Sequence, residues 1–268
     1  MEVSLPLSVQ PLIDAYLKAL EPLRHRFYGL YVYGSIALDA FEEQQSDIDL
    51  LALTQGEWTA GELEQFSAIH TALLQEQPLS KRLDVQYVPL GDLGRRGRPA
   101  RHPLLRAGAF ALESERVDLN AVTWWIVKHK GMRLLGPEPA ALPFEIAWQD
   151  VLEAMRYNLD GYWAGQARHP YLFLSDYWVD FAVTTLCRIL TTIEDGEIIG
   201  KSAALQRWRS RLPERWGLLI DEAWRVRHQP DTGAPSRYRW PLERAHETLA
   251  FLAYARQRGR EALAVSAR

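Results

Sequence analysis

Three aspartates and a Gly-Ser pair carry the chemistry to which this sequence points. Gly34-Ser35 is followed eleven residues later by Ser46-Asp47-Ile48-Asp49-Leu50, and a third acid, Asp84, lies in the run Leu83-Asp84-Val85-Gln86-Tyr87-Val88. Two acids at i and i+2 in an apolar run read as a β-strand that projects both carboxylates from one face. Such a pair suits a divalent cation, because Mg²⁺ takes hard oxygen ligands, commonly one or two carboxylates plus the phosphate oxygens of a nucleotide. Two ions about 3.5–4 Å apart would hold attacking and leaving oxygens in line. Gly34 lets the backbone approach a phosphate with no Cβ in the way, and Ser35 offers a hydroxyl and an N–H to phosphate oxygens. A lone Gly-Ser is commonly a turn and a lone Asp-x-Asp a strand end at the solvent. Their combination at this spacing describes a clamp for a nucleoside triphosphate and its metal.

Glycine-serine, an interval of this length and then Asp-x-Asp is a pattern that resembles the core of the DNA polymerase β-like nucleotidyltransferase superfamily. Two carboxylates suffice to hold metal, while an acceptor hydroxyl also needs somewhere to send its proton. Asp84 is the acid of the interior strands left for that work, as base or as third metal ligand. The competing reading of Asp84 is an exposed acid paired with Arg82 or Lys81.

The elements that must position these residues follow from periodicity. Strands are predicted over 28–33, 47–53 and 83–88, with Asp47 and Asp49 on one face of the second and Asp84 and Gln86 on one face of the third. If those two strands are neighbours, the three carboxylates converge. Helices are predicted over 8–26, with Ser8 as cap, and over 59–76, with His70 on the apolar stripe as a core residue. Residues 91–116 read as a loop, punctuated by Gly91, Gly94, Gly97, Pro99 and Pro103 and crowded by Arg95, Arg96, Arg98, Arg101 and Arg106. Most of these arginines read as solvated; the functional reading is a basic flap that meets triphosphate. A helix over 118–133 follows, stopped by Gly136-Pro137. Beyond Pro143 the pattern is helical throughout, near 147–164, 175–195, 201–211, 213–228 and 238–264, with Gly196 as a C-cap. The expected fold is an α/β (α+β) nucleotidyltransferase domain with a small mixed sheet over 1–145, then an all-α bundle over 146–268.

Composition agrees with a folded enzyme. The 268 residues are 47% hydrophobic and 24% charged, enough for two domains that each bury a core. A net charge of −3 argues against a general nucleic-acid binder. A lone cysteine, Cys187, cannot form an internal disulfide, and its apolar helical setting marks it as core. No signal peptide or membrane span is expected, and the expectation is a cytoplasmic monomer.

The helical half resembles something narrower, the aminoglycoside 3''-adenylyltransferases. The resemblance rests on Asp195-Gly196-Glu197-Ile198-Ile199-Gly200-Lys201, on Leu212-Pro213 eleven residues later, and on Arg188-Ile189, Leu134-Leu135-Gly136-Pro137 and Arg101-His102-Pro103. It implies transfer of AMP from ATP, with Mg²⁺ (two ions), to a hydroxyl of streptomycin or spectinomycin. Carried over by position, Ser35, Ser46, Asp47 and Asp49 match the nucleotide and metal motif. Asp84 stands where the family has a glutamate base, one methylene longer, and a shift of about 1 Å at a reacting proton can cost on the order of 100-fold in rate. Lys201 falls on a lysine that reaches the ATP phosphates. Asp118 falls near a nucleotide-contacting aspartate after a one-residue gap, with Asn120 as a competing match. Trp163 falls on a tryptophan associated with streptomycin, Asp176 is the first acid after it, and Arg227 replaces an ATP-contacting tyrosine.

A cationic, polyhydroxylated acceptor also fits Asp150, Glu153, Asp160, Asp176 and Asp180 as a group, although any one of these acids taken singly reads better as part of a solvated helix face. The alternatives are a nucleotidyltransferase acting on another small molecule or on a protein partner, as antitoxin-like enzymes do, and a non-catalytic nucleotide sensor.

Overall fold

The computed structural model describes residues 4–95, 102–114, 119–229 and 235–266. Contacts divide the chain into two units, Met1–Trp148 and Gln149–Arg268.

The first unit is built on a sheet whose central strands are buried on both faces. Its strands are β1 (Phe27–Val32), β2 (Ile48–Thr54), β3 (Leu83–Pro89), β4 (His102–Arg106), β5 (Ala109–Ser114) and β6 (Met132–Leu135), in the sheet order β5-β4-β3-β2-β1-β6. The β2–β3 pair is parallel and the other pairs are antiparallel. A parallel pair needs a crossover, which here contains helix α3 (Ala60–Glu76). One sheet face presents Leu30, Val32, Ile48, Leu50, Ala52, Leu83, Val85 and Tyr87 to Leu12, Ile13 and Tyr16 of helix α1 (Gln10–Leu20) and to Phe66 and Leu73 of α3. Each such side chain, fully buried, stabilises by roughly 1.5–3 kcal/mol. Alternation then commits Asp49, Asp84 and Gln86 to the opposite face.

A polar chain runs through this core. The His70 ring meets the Phe66 carbonyl through Nδ1 at 2.7 Å and the Tyr87 hydroxyl through Nε2, and Tyr87 meets the Tyr16 hydroxyl. A carbonyl only accepts, so Nδ1 carries the proton, Nε2 accepts from Tyr87, and Tyr87 accepts from Tyr16. Burial holds His70 neutral, with its pKa lowered to about 4. The core role expected of His70 is what the structure gives it.

Three local expectations change. Ser8 does not cap a helix: α1 starts at Gln10 without a side-chain cap, Ser8 donates to Glu43, and a 3-10 segment, Glu21–Arg26, takes over from α1. The loop expected over 91–116 contains the β4–β5 hairpin, because Leu104 and Leu105 pair with Ala111 and Phe110 around a two-residue turn at Ala107-Gly108. The helix expected over 118–133 is shorter. It is α4 (Ala121–Lys130), and Met132–Leu135 leaves it to become the edge strand β6 beside β1.

The second unit is helical throughout its described residues: α5 (Trp148–Tyr157, its first residue in the first unit), a π turn at Asn158–Tyr162, α6 (Trp163–Gln166), α7 (Asp176–Asp195), α8 (Lys201–Arg211), α9 (Gly217–His228) and α10 (Pro241–Ser266). Helix α7 is its centre, packing against α8, α9 and α10. The α7 stripe buries Val183, Leu186, Cys187 and Leu190, and Gly196 caps the helix as expected. Burial raises the Cys187 thiol well above its usual range, as befits a core residue rather than a nucleophile. No helix among the described residues is long and apolar enough to cross a membrane.

Candidate active site

Backbone geometry brings the motif together. After β1 the chain turns at Gly34 (φ +64°) into helix α2 (Gly34–Ala37), and the Tyr33 N–H donates to the Asp49 carbonyl at 3.0 Å. A Cβ at residue 34 would overlap the Asp49 carboxylate, so glycine is required both by its left-handed conformation and by the close approach. Ser35 opens α2 with its Oγ buried and without a hydrogen-bond partner among the described residues. A buried hydroxyl without a partner is costly unless a ligand completes it.

Asp47 immediately precedes β2 and Asp49 lies within it. In the parallel ladder Asp49 is the direct register partner of Asp84. All three acids line one cleft of about 440 Å³, together with Tyr33, Arg82, Arg106, Ala107 and Thr123. Asp84 is held on both oxygens: Arg106 Nε donates to Oδ2 at 2.7 Å and Gln86 Nε2 to Oδ1 at 3.3 Å.

The three-acid metal group expected from the sequence is therefore not formed. Among the described residues, no three His, Cys, Asp or Glu side chains gather closely enough to hold an ion. Asp84 shares the cleft, but its Oδ2 is held by the Arg106 guanidinium. Asp47 and Asp49 remain, and two carboxylates are the number Mg²⁺ commonly takes when phosphate oxygens and water complete its shell. With the unpartnered Ser35 hydroxyl and the Gly34 cradle beside them, these residues fit one metal–triphosphate group.

Arg82 does not pair with Asp84. Its guanidinium donates to the carbonyls of Ser46, Glu43 (2.6 Å) and Glu42 (3.4 Å), pinning the loop that leads to Asp47. Ser46 belongs to the same brace, its Oγ accepting from the Glu42 N–H at 2.9 Å, and it is not among the residues lining the cleft. Asp118 lies outside the described residues, as do Arg96, Arg98 and Arg101 of the expected basic flap. Asn120 caps α4, accepting from Val122 N and Thr123 N through Oδ1 at 2.9 and 3.3 Å.

In the helical unit Lys201 is exposed at the first position of α8. Arg227 is buried, and its Nη2 and Nε reach Asp180 at 2.6 and 3.1 Å. The ATP contact expected of Arg227 gives way to this ion pair, because a buried guanidinium needs a carboxylate. Trp163 is fully buried against Phe181 and Tyr162 and offers no surface to a ligand, contrary to its expected substrate role. Asp176 keeps about half its side chain exposed, while Arg244 and Arg225 hold its two oxygens at 2.5 and 3.3 Å. Arg260 pairs Asp160, so three of the acids read as a cationic-acceptor surface carry internal arginine partners.

Arg106, one of the arginines read either as solvated or as a basic flap that meets triphosphate, pairs instead with Asp84. Its signal was present: Leu104-Leu105-Arg106 and Ala109-Phe110 flank Ala107-Gly108, a two-residue hairpin pattern.

A glycine-serine turn set against an Asp-x-Asp strand in a mixed sheet is an arrangement that suits phosphoryl-type chemistry. Residues 145–251 match the family model described as aminoglycoside adenylyltransferase, C-terminal domain. The fold is shared with spectinomycin adenyltransferase AAD(9) from Enterococcus faecialis, whose crystal structure was obtained with ATP and spectinomycin. The TM-score is 0.65 at 18% identity, covering 92% of this chain and 99% of that one. No curated protein sequence matches the chain.

Proposed function

We propose that the protein transfers AMP from ATP to a hydroxyl of an aminoglycoside, streptomycin or spectinomycin, and thereby inactivates the drug. The observation that carries the reading is the register of Asp49 against Asp84 in a cleft that Asp47 also lines, next to the Gly34-Ser35 turn. The first unit is read as the nucleotidyltransferase domain and the helical unit as the contributor of acceptor contacts.

In this mechanism Ser35 Oγ and the backbone at Gly34 receive phosphate oxygens. Asp47 and Asp49 would hold Mg²⁺, which supplies charge neutralisation at the triphosphate when bound. Asp84 accepts the proton of the acceptor hydroxyl. The freed oxygen bonds to the α-phosphorus while the bond from that phosphorus to pyrophosphate breaks, so AMP passes to the acceptor and pyrophosphate leaves. Lys201 is the helical unit's candidate for a phosphate contact, and Asp176, still half exposed, its candidate for an acceptor contact.

The test is incubation of the pure chain with ATP, MgCl₂ and each drug, reading pyrophosphate release and the acceptor's mass. The expected result is acceptor-dependent release with one AMP added to the drug. Nucleotide binding without any acceptor turnover would support the sensor instead, and AMP appearing on protein would support the protein-modifying alternative.

A further inference from the structure

Arg106 is delivered to the cleft by a turn whose first residue, Ala107, takes a left-handed conformation that alanine rarely adopts. It ends β4, and Ala107 and Gly108 follow at φ +48° and +77°, the two left-handed positions of a tight hairpin turn. Glycine takes that conformation freely, but alanine there costs of order 1 kcal/mol, and such strain persists where surrounding structure over-determines it. The strained Ala107 itself lines the cleft. Beside it Arg106 Nε meets Asp84 Oδ2 at 2.7 Å, the Arg106 side chain one-third exposed and that of Asp84 13% exposed. Gln86, two residues along β3, holds the other oxygen.

We propose that Arg106 is a positioning residue that fixes the carboxylate of Asp84 toward the acceptor hydroxyl, and that the Ala107-Gly108 turn exists to place it. The inference rests on the proposed role of Asp84 as proton acceptor. Aspartate reaches less far than glutamate, so its orientation leaves little slack. A guanidinium on one oxygen and an amide on the other restrict rotation about the side-chain bonds. Arg106 acts through Asp84 and not through the nucleotide.

The experiment compares Arg106→Gln, Arg106→Lys, Asp84→Asn and the double variant Asp84→Asn/Arg106→Gln. With ATP and acceptor saturating, Arg106→Gln is expected to lower kcat 10- to 100-fold while the KM for ATP stays within about twofold, and Arg106→Lys to recover part of the loss. In the double variant the loss should equal that of Asp84→Asn alone, since a residue acting through Asp84 has nothing left to position. An unchanged kcat in Arg106→Gln overturns the proposal, and so does a loss confined to the KM for ATP or losses that multiply in the double variant. A readout independent of turnover keeps this test separate from the test of the reaction. Three-bond couplings of isotope-labelled protein should show one Asp84 χ1 rotamer in the wild type and Arg106→Lys, and averaged rotamers in Arg106→Gln. A single rotamer in all three overturns the positioning role even if the wild type proves to have no adenylyltransferase activity.

Discussion

Asp49 and Asp84 face each other across the parallel β2–β3 ladder, yet they serve different partners. Asp49 lies against the Gly34 turn, while Asp84 is tied to Arg106 and Gln86. In the proposed mechanism the two carboxylates have separate roles, one at the metal–triphosphate group and one at the acceptor proton, and that proposal gives them distinguishable mutant signatures. Asp49→Asn is expected to weaken Mg²⁺-ATP binding and to lower turnover by on the order of 100-fold or more. Asp84→Asn should lower kcat comparably with ATP affinity retained. Calorimetry of Mg²⁺-ATP binding, beside pyrophosphate release, separates the two.

Gly34→Ala should be damaging out of proportion to one methyl group. Its φ of +64° is strained for alanine, and the new Cβ would displace the Asp49 carboxylate. The expectation is a loss of about 1–3 kcal/mol of stability together with loss of most Mg²⁺-ATP affinity. Urea unfolding and nucleotide titration check the two parts.

His70 makes stability depend on pH. The folded state holds it neutral with a pKa near 4, whereas in the unfolded chain it titrates near 6.5. Its contribution is therefore complete above pH 6.5 and is lost as pH falls toward 4, on the order of 3 kcal/mol in all. His70→Gln should be less stable at pH 7 and should show a flatter stability profile between pH 4 and 6.5, measured by urea midpoints across that range.

Glu222 ties α9 to its surroundings while fully buried, accepting from Arg225, Arg244, Ser236 Oγ and the Arg237 N–H. These donors hold its pKa down to about 2 against its desolvation, so its contribution is present above pH 4.5 and is lost as pH falls toward 2. Glu222→Gln leaves the two buried guanidiniums of Arg225 and Arg244 to share Asp176 as carboxylate partner and should cost about 3 kcal/mol at pH 7, read as a lowered thermal midpoint of the helical unit.

Arg227→Tyr tests the departure at that position. It removes the guanidinium held against Asp180, so destabilisation of about 3 kcal/mol is expected with no gain in ATP affinity. Adding Asp180→Asn should recover a good part of the loss. Thermal melts with and without ATP distinguish a structural pair from a nucleotide contact.

The sequence by itself determined the turn, the Asp-x-Asp strand, the apolar β3 run and the helical second half, because each is a local pattern: period 2, period 3.6, or a residue type demanded by one backbone position. The alternation of β3 already placed Asp84 and Gln86 on one face. What only the tertiary structure decided was who meets whom. The pairing of Asp84 with Arg106, and not with its sequence neighbours Lys81 and Arg82, depends on a hairpin hidden among glycines, prolines and arginines, since strand pairing is a non-local event that composition does not encode. Met132–Leu135 left its helix for the same reason, taking the backbone hydrogen bonds offered by the edge of β1. The family resemblance implies ligand contacts for Arg227 and Trp163, but burial makes one an ion-pair partner and the other core, and burial is set by the packing of elements distant in the chain.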